Sequence, residues 1–385
     1  MRLCDIVGHG ACVQALRKAL GSARLPHAYL FCGPERVGKT STALAFAQAA
    51  NCASPDGEAQ AGGGPDACGQ CASCRLVEAG THPEVRVVAP LLRVAQEDDQ
   101  AAPDVYLEGT MIRTEQIGDL IRQAHMTLVE GRRKFFVVTR AEAMNEASAN
   151  RLLKTLEEPP GGATFILTTP APSQLLPTIQ SRCQAIRFGP VPDAAAMEGL
   201  TREFPDLGSE RICAAVALSG GRYGWAMRAL RSAGLLALRD ELLELAASLP
   251  LRRPVEGLRV AEDISDLAQR WWLASEGEEI GAELLKRSRD RVLRATVGEV
   301  LDVLLSWYRD LVILHSGADA SALANPDHVE GLRSASARCD AGQARAAAAL
   351  CRDVKRYVQQ GNANLRLALE VLATGLIEGS AGRQE

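Results

Sequence analysis

Residues 33–40, Gly-Pro-Glu-Arg-Val-Gly-Lys-Thr, have the types and spacing of a phosphate-binding loop, G-x-x-x-x-G-K-[ST]. Glycines let backbone N–H groups curl around phosphate oxygens, and the N-terminus of a following helix adds positive partial charge. Lys39 would neutralise β- and γ-phosphates, and the Thr40 hydroxyl would help hold Mg²⁺. The expected ligand is ATP or ADP. A chance glycine-rich turn and a decayed loop that no longer binds nucleotide are the rival readings. Only six of the 43 basic residues are lysines, so a lysine at this position of an arginine-rich chain counts against chance.

A second cluster is made of sulfur. Cys68, Cys71 and Cys74 follow one another at CxxC spacing, and Cys52 lies upstream across a small-residue, glycine-rich stretch at 53–67. Four thiolates suit tetrahedral Zn²⁺ with no open position, hence a structural role. A long loop between ligands raises the closure entropy only logarithmically. A redox-active CxxC is the rival, and the third in-phase cysteine favours metal. His82 is a spare candidate ligand, but four sulfurs complete the shell. The other seven of the eleven cysteines are scattered and read as small buried hydrophobes.

Two further places bear on catalysis. A phosphate-loop ATPase needs an acidic pair at the end of a second strand, to hold Mg²⁺ and to activate water. Here that strand ends Val137-Val138-Thr139-Arg140-Ala141-Glu142. Thr139 brings no charge and Arg140 cannot act as a base. Glu142 is the nearest acid, offset by two or three residues. Nucleotide binding with weak or absent hydrolysis is the expectation. Arg182, in Ser181-Arg182-Cys183, reads from its residues alone as either a surface arginine or a functional one.

These groups need elements to position them. The apolar run 28–32 ends at Gly33-Pro34 and predicts a buried parallel strand before the loop, with a helix from Lys39 to about Ala50 after it. Further helices are expected at 6–22, 114–128 and 145–158, the last stopped by Pro159-Pro160. Strands are expected at 135–139 and 164–169, and a short helix at 174–179. Residues 94–104 read as an acidic loop. This alternation predicts an α/β domain with a parallel sheet to about residue 189. Beyond Pro190 the chain turns Ala/Leu/Arg-rich and helical, with amphipathic spacing at Leu304, Trp307, Leu311, Leu314 and again at Leu365, Leu369, Leu372, Leu376.

Composition limits the function further. The 385 residues allow two to four domains at roughly 100–200 residues each. A net charge of −4 argues against a free-standing nucleic-acid binder, and 4% aromatics against a base-stacking platform. The N-terminus has no apolar leader and no stretch is long and apolar enough for a membrane span, so a cytoplasmic protein is expected.

With these residues in view, the chain resembles the AAA+ clamp-loader subunits of bacterial DNA polymerase III. The resemblance is carried by residues 24–34 (Arg-Leu-Pro-His-Ala-Tyr-Leu-Phe-Cys-Gly-Pro), the cysteine cluster, residues 149–160 (Ala-Asn-Arg-Leu-Leu-Lys-Thr-Leu-Glu-Glu-Pro-Pro) and Ser181-Arg182-Cys183. Trp307-Tyr308-Arg309-Asp310-Leu311 and Asn362-Ala363-Asn364-Leu365 are similar to the family's helical collar. It implies an AAA+ domain at 1–189 with an inserted zinc module at about 52–74, a helical lid at 190–232 and a helical collar at 233–385. It also implies a five-subunit ring with tau/gamma motors and delta, which opens the sliding clamp and loads it on primed DNA. Arg182 would then be an arginine finger acting on ATP held by a neighbour. Val7, within Ile6-Val7-Gly8-His9, would join Gly33, Gly38, Lys39 and Thr40 in the nucleotide pocket.

Three features align the chain with the delta-prime branch: Thr81-His82-Pro83-Glu84, the missing acidic pair, and an end after one collar-like domain. A tau/gamma-like motor that hydrolyses ATP itself is the alternative. The intact phosphate loop departs from some delta-prime relatives. A second sensor arginine has no clear match, with Arg222 and Arg228 the nearest.

Overall fold

A computed structural model describes residues 1–22, 25–55, 64–94, 105–108, 111–129, 131–232, 234–276, 278–318, 322–359 and 364–380. Arg24, most of the 53–67 stretch, the acidic loop after Val94, Asn362 and Ala363 lie outside the described residues. The chain forms two compact units, Met1–Glu203 with Gly221–Trp225, and Phe204–Gly220 with Ala226–Glu385.

The first unit is built on a five-stranded parallel sheet. Its strands are β1 (Ala28–Cys32), β2 (Val85–Val88), β5 (Lys134–Val138), β6 (Ala163–Thr169) and β7 (Gln184–Arg187), in the order β2-β5-β6-β1-β7. A separate antiparallel pair joins β3 (Leu91–Val94) to β4 (Val105–Glu108). Parallel strands need crossovers, and helices supply them on both faces. Alternate side chains of a strand point to opposite faces. Tyr29, Phe31, Phe135, Val137 and Ile166 therefore enter one core with α1 (Gly10–Leu20), α2 (Lys39–Asn51) and α3 (Ala72–Glu78). Leu30, Phe136, Val138, Phe165 and Leu167 enter the other with α4 (Thr114–His125), α5 (Glu146–Glu157) and α6 (Pro177–Gln180). Burial on both faces is why the central strands read as unbroken apolar runs.

The expected strands at 28–32, 135–139 and 164–169 are present to within a residue. The edge strands β2 and β7 gave no comparable signal, because their side chains are largely exposed. The helix expected over 6–22 begins only at Gly10. Ile6 is extended, and Gly8 has φ +77°, which ends any helical run. Helix α4 ends at His125, so Met126–Leu128 lie beyond it. Helix α7 (Asp193–Glu203) completes the unit's main helices.

The second unit is all-α: α8 (Ser209–Ser219), α9 (Tyr223–Arg231, which starts in the first unit), α10 (Leu235–Ser248), α11 (Gly257–Glu276), α12 (Glu278–His315), α13 (Val329–Ser336), α14 (Ala341–Gln359) and α15 (Leu365–Ser380). Helix α12 packs on α10, α11, α13 and α14. Trp271, Trp307 and Tyr308 are fully buried, as are Leu369, Leu372 and Leu376 of the amphipathic stripe. Inside the unit, Asp310 accepts from Ala324 N at 2.9 Å, Asn325 N at 2.8 Å and Asn325 Nδ2 at 2.8 Å. The Asn325 Oδ1 in turn accepts from Arg239 Nη2 at 2.7 Å. Among the described residues no helix is long and apolar enough to cross a membrane.

Candidate nucleotide and metal sites

Strand β1 delivers the chain at Cys32 directly into residues 33–38, and α2 starts at Lys39. Two glycines make the bend possible. Gly38, the residue before α2, has φ +108°. Gly33 has φ +151°, and a Cβ there would lie 2.1 Å from the Phe188 carbonyl oxygen. Arg36, which is not glycine, also has positive φ, and its carbonyl accepts from Gly224 N at 2.7 Å. Lys39 is buried, and its Nζ donates to the carbonyls of Gly33 at 2.6 Å and Pro34 at 2.5 Å. Burial lowers the lysine's pKa, and the carboxylates of Glu35 and Glu142 oppose that shift. The ammonium is thus held by neutral carbonyls that a phosphate can replace. Thr40 follows it on the first turn of α2, half-buried.

Val7 lies against α7, and His9, two residues on, reaches this loop. A Cβ on Gly199 of α7 would lie 2.8 Å from Val7 Cγ2 and 2.8 Å from the Tyr223 hydroxyl, so only glycine leaves room for both. His9, buried, bonds through Nε2 to the Val37 carbonyl at 2.7 Å. Burial lowers its pKa and Lys39 adds to this, against the bond to the Val37 carbonyl, which raises it.

At the end of β5, Thr139 donates through both its backbone N–H (2.8 Å) and its hydroxyl (3.4 Å) to the Val88 carbonyl. Arg140 adopts the left-handed conformation, φ +51°. The next turn brings Glu142 back, with Oε1 3.8 Å from Arg140 Nε and Oε2 buried.

The cysteine cluster converges. Each of Cys52, Cys68, Cys71 and Cys74 places its sulfur within 4.8 Å of the others. Two pairs, Cys52–Cys71 and Cys68–Cys74, stand at 4.0 Å. Tetrahedral zinc with bonds of about 2.3 Å sets sulfurs about 3.8 Å apart, so the donor set fits. The Gln70 and Cys71 amides point at the Cys68 sulfur and lower its pKa. Burial raises the pKa of Cys71, but the Cys74 and Ala53 amides bring it down to about 6. Burial pushes Cys52 and Cys74 upward. Four crowded sulfurs cannot all ionise without a cation, and a dication removes that conflict. His82 stands apart: Nε2 meets Ser73 Oγ at 3.0 Å and Nδ1 accepts from Glu84 N at 3.1 Å.

Arg182 precedes β7, at the N-terminal edge of the sheet, whereas the phosphate loop follows β1 at the C-terminal edge. The guanidinium is partly exposed.

Residues 8–192 match the family described as DNA polymerase III, delta subunit. A protein of Pseudomonas aeruginosa named DNA polymerase III subunit delta' is 39% identical over 251 residues, 65% of this chain and 69% of that protein. The chain belongs to the delta-prime/clamp-loader family of bacterial DNA polymerase III. Bacillus subtilis subunit delta' is 31% identical over 191 residues, half of each chain. Haemophilus influenzae subunit tau/gamma is 34% identical over 179 residues, 46% of this chain and 22% of that protein.

Within this clamp-loader chain the sequence left Asp66 unnoticed and gave no contact for His9 or Gly224. Asp66 accepts from the backbone N–H of Leu3 and of Cys4, both at 2.9 Å, and pairs with buried Arg17, tying the cysteine module to the N-terminal segment. His9 holds the Val37 carbonyl. Gly224 holds that of Arg36. Each is a long-range contact with no local pattern. Of the sensor candidates, Arg222 lies in the turn preceding Gly224, and Arg228 pairs with Glu299 in the helical unit.

Proposed function

We propose that this chain is a delta-prime-like stator of a bacterial clamp loader, helping to load the sliding clamp onto primed DNA within DNA polymerase III holoenzyme. Its partners are the tau/gamma motors and delta in a hetero-pentamer. Residues 1–189 serve as the AAA+ domain, 190–232 as the lid and 233–385 as the collar. The chain holds ATP or ADP with Mg²⁺ through Gly33, Gly38, Lys39, Thr40 and Val7, with little hydrolysis of its own. Zn²⁺ on Cys52, Cys68, Cys71 and Cys74 is structural.

The observation that carries the reading is the opposition of Arg182 and the phosphate loop across the sheet. Four to five residues of strand, at about 3.3 Å each, separate the two edges. A partly exposed arginine there is out of reach of this chain's own nucleotide and open to a neighbour's. An arginine supplied in trans neutralises charge that develops during phosphoryl transfer. Replacing Arg182 by Ala in the reconstituted loader should lower hydrolysis at the adjoining site by about 10³-fold while the complex still assembles. Unchanged DNA-stimulated hydrolysis would sink the assignment.

A second reading is a motor-like subunit that hydrolyses ATP, with Glu142, whose carboxylate turns back beside Arg140 after β5, as the nearest acid. Purified chain decides between them. Turnover of about 1 per second or faster, the ordinary range for enzymes, supports the motor. Binding abolished by Lys39→Ala without such turnover supports the stator.

A further inference from the structure

The most distinctive run of the sequence, Leu152-Leu153-Lys154-Thr155-Leu156-Glu157-Glu158-Pro159-Pro160, has no part in the proposed function so far. Leu152 and Leu156 are core residues of α5, and the prolines stop the helix. Glu157 is the last helical residue. Core packing does not account for it, since its side chain is 44% exposed. Helix stability does not account for it either, because a carboxylate at a helix C-terminus opposes the dipole.

Its partner is Arg182. The Arg182 Nη2 lies 2.7 Å from Glu157 Oε1. Nη1 donates to the Thr178 carbonyl at 2.9 Å, with Ser181 Oγ at 3.5 Å. Helix α5 packs on α6, which brings the two residues together. The guanidinium is therefore held from one side by α6 and its C-cap residue Ser181 and from the other by a carboxylate on a separate, proline-terminated helix. A guanidinium has five N–H groups, and these three contacts leave two for an outside acceptor. Ordering a free arginine costs rotamer entropy at the moment of use, and a prior partner removes much of that cost.

We infer that Glu157 is a positioning residue that presents Arg182 to the neighbouring subunit's nucleotide. The inference rests on the trans-arginine reading of Arg182. It also gives the Leu-Glu-Glu-Pro-Pro run a role: proline fixes where the helix ends, and the end fixes where the carboxylate stands.

The test uses the reconstituted loader, with assembly followed by sizing and ATP hydrolysis measured with primed DNA and clamp. Glu157→Gln keeps the shape and an acceptor oxygen but removes the charge. It should lower kcat at the adjoining site about tenfold with KM for ATP unchanged, and Glu157→Asp should recover part of the loss. The double variant Glu157→Gln/Arg182→Ala should be no slower than Arg182→Ala alone. If Arg182→Ala has no effect, the trans-arginine reading fails and this inference with it. If Arg182→Ala slows hydrolysis but Glu157→Gln does not, the positioning role alone is overturned. The positioning role is equally overturned if Glu157→Gln accelerates hydrolysis, or if its loss multiplies with that of Arg182→Ala.

Discussion

Gly33 shows at the scale of one residue how the phosphate loop depends on what is missing from it. A Cβ at this position would collide with the Phe188 backbone at 2.1 Å, and backbone cannot rotate aside as a side chain can. Gly33→Ala should therefore displace β1 from the segment after β7, lowering stability by about 2–4 kcal/mol and nucleotide affinity with it. Denaturant titration and ATP titration check the two effects. Gly38→Ala meets no neighbouring atom and carries only the strain of φ +108°, so its cost should be smaller. The loop itself was legible because its chemistry is local in sequence. The contacts that brace it were not. His9 to Val37 and Gly224 to Arg36 join residues 28 and 188 positions apart, where spacing carries no information.

The cysteine module makes the same point for an element. Three of its cysteines stood out by CxxC spacing and Cys52 by its place upstream, and the structure brings the four sulfurs together. What the spacing could not give is the attachment. Gln48 of α2 donates to the Cys74 carbonyl at 3.0 Å, and Asn51 accepts from Arg132 and Arg133 N–H groups beside β5. The module is thereby bonded to the far end of the helix that begins at Lys39. Purified chain should contain one zinc per molecule, and Cys71→Ser or a strong chelator should lower the melting temperature of the first unit. Because the ligands must shed protons, zinc should also be lost as pH falls. Metal analysis of protein dialysed across pH 7 to 5 measures this. A metal-free protein with unchanged melting would remove the structural role. The edge strands β2 and β7 escaped the sequence for a complementary reason: half-exposed strands at sheet edges lack the apolar run that marked β1, β5 and β6.

Across the whole molecule, each compact unit has a buried carboxylate that gathers backbone from distant parts of the chain. In the first, Asp66 binds Leu3, Cys4 and Arg17. In the second, Asp310 binds Ala324 and Asn325. Burial raises the pKa of Asp66, but Arg17 and the Ala67, Leu3 and Cys4 amides outweigh it and hold the carboxyl below the usual carboxylate range. A depressed carboxylate contributes stability that is present above its unfolded pKa and lost as pH falls through the folded one. The first unit should therefore weaken only below about pH 4 on account of this group. Asp66→Asn leaves Arg17 buried without a countercharge, an effect of about 3–5 kcal/mol. Asp310→Asn turns an acceptor oxygen into a donor facing N–H groups, at about 1–3 kcal/mol. Hydrogen exchange resolved by peptide separates the two. Asp66→Asn should reduce protection in β1, β5 and β6 and spare α12 and α14, and Asp310→Asn should do the reverse. Equal loss in both units from either substitution would mean that the chain opens as one cooperative body.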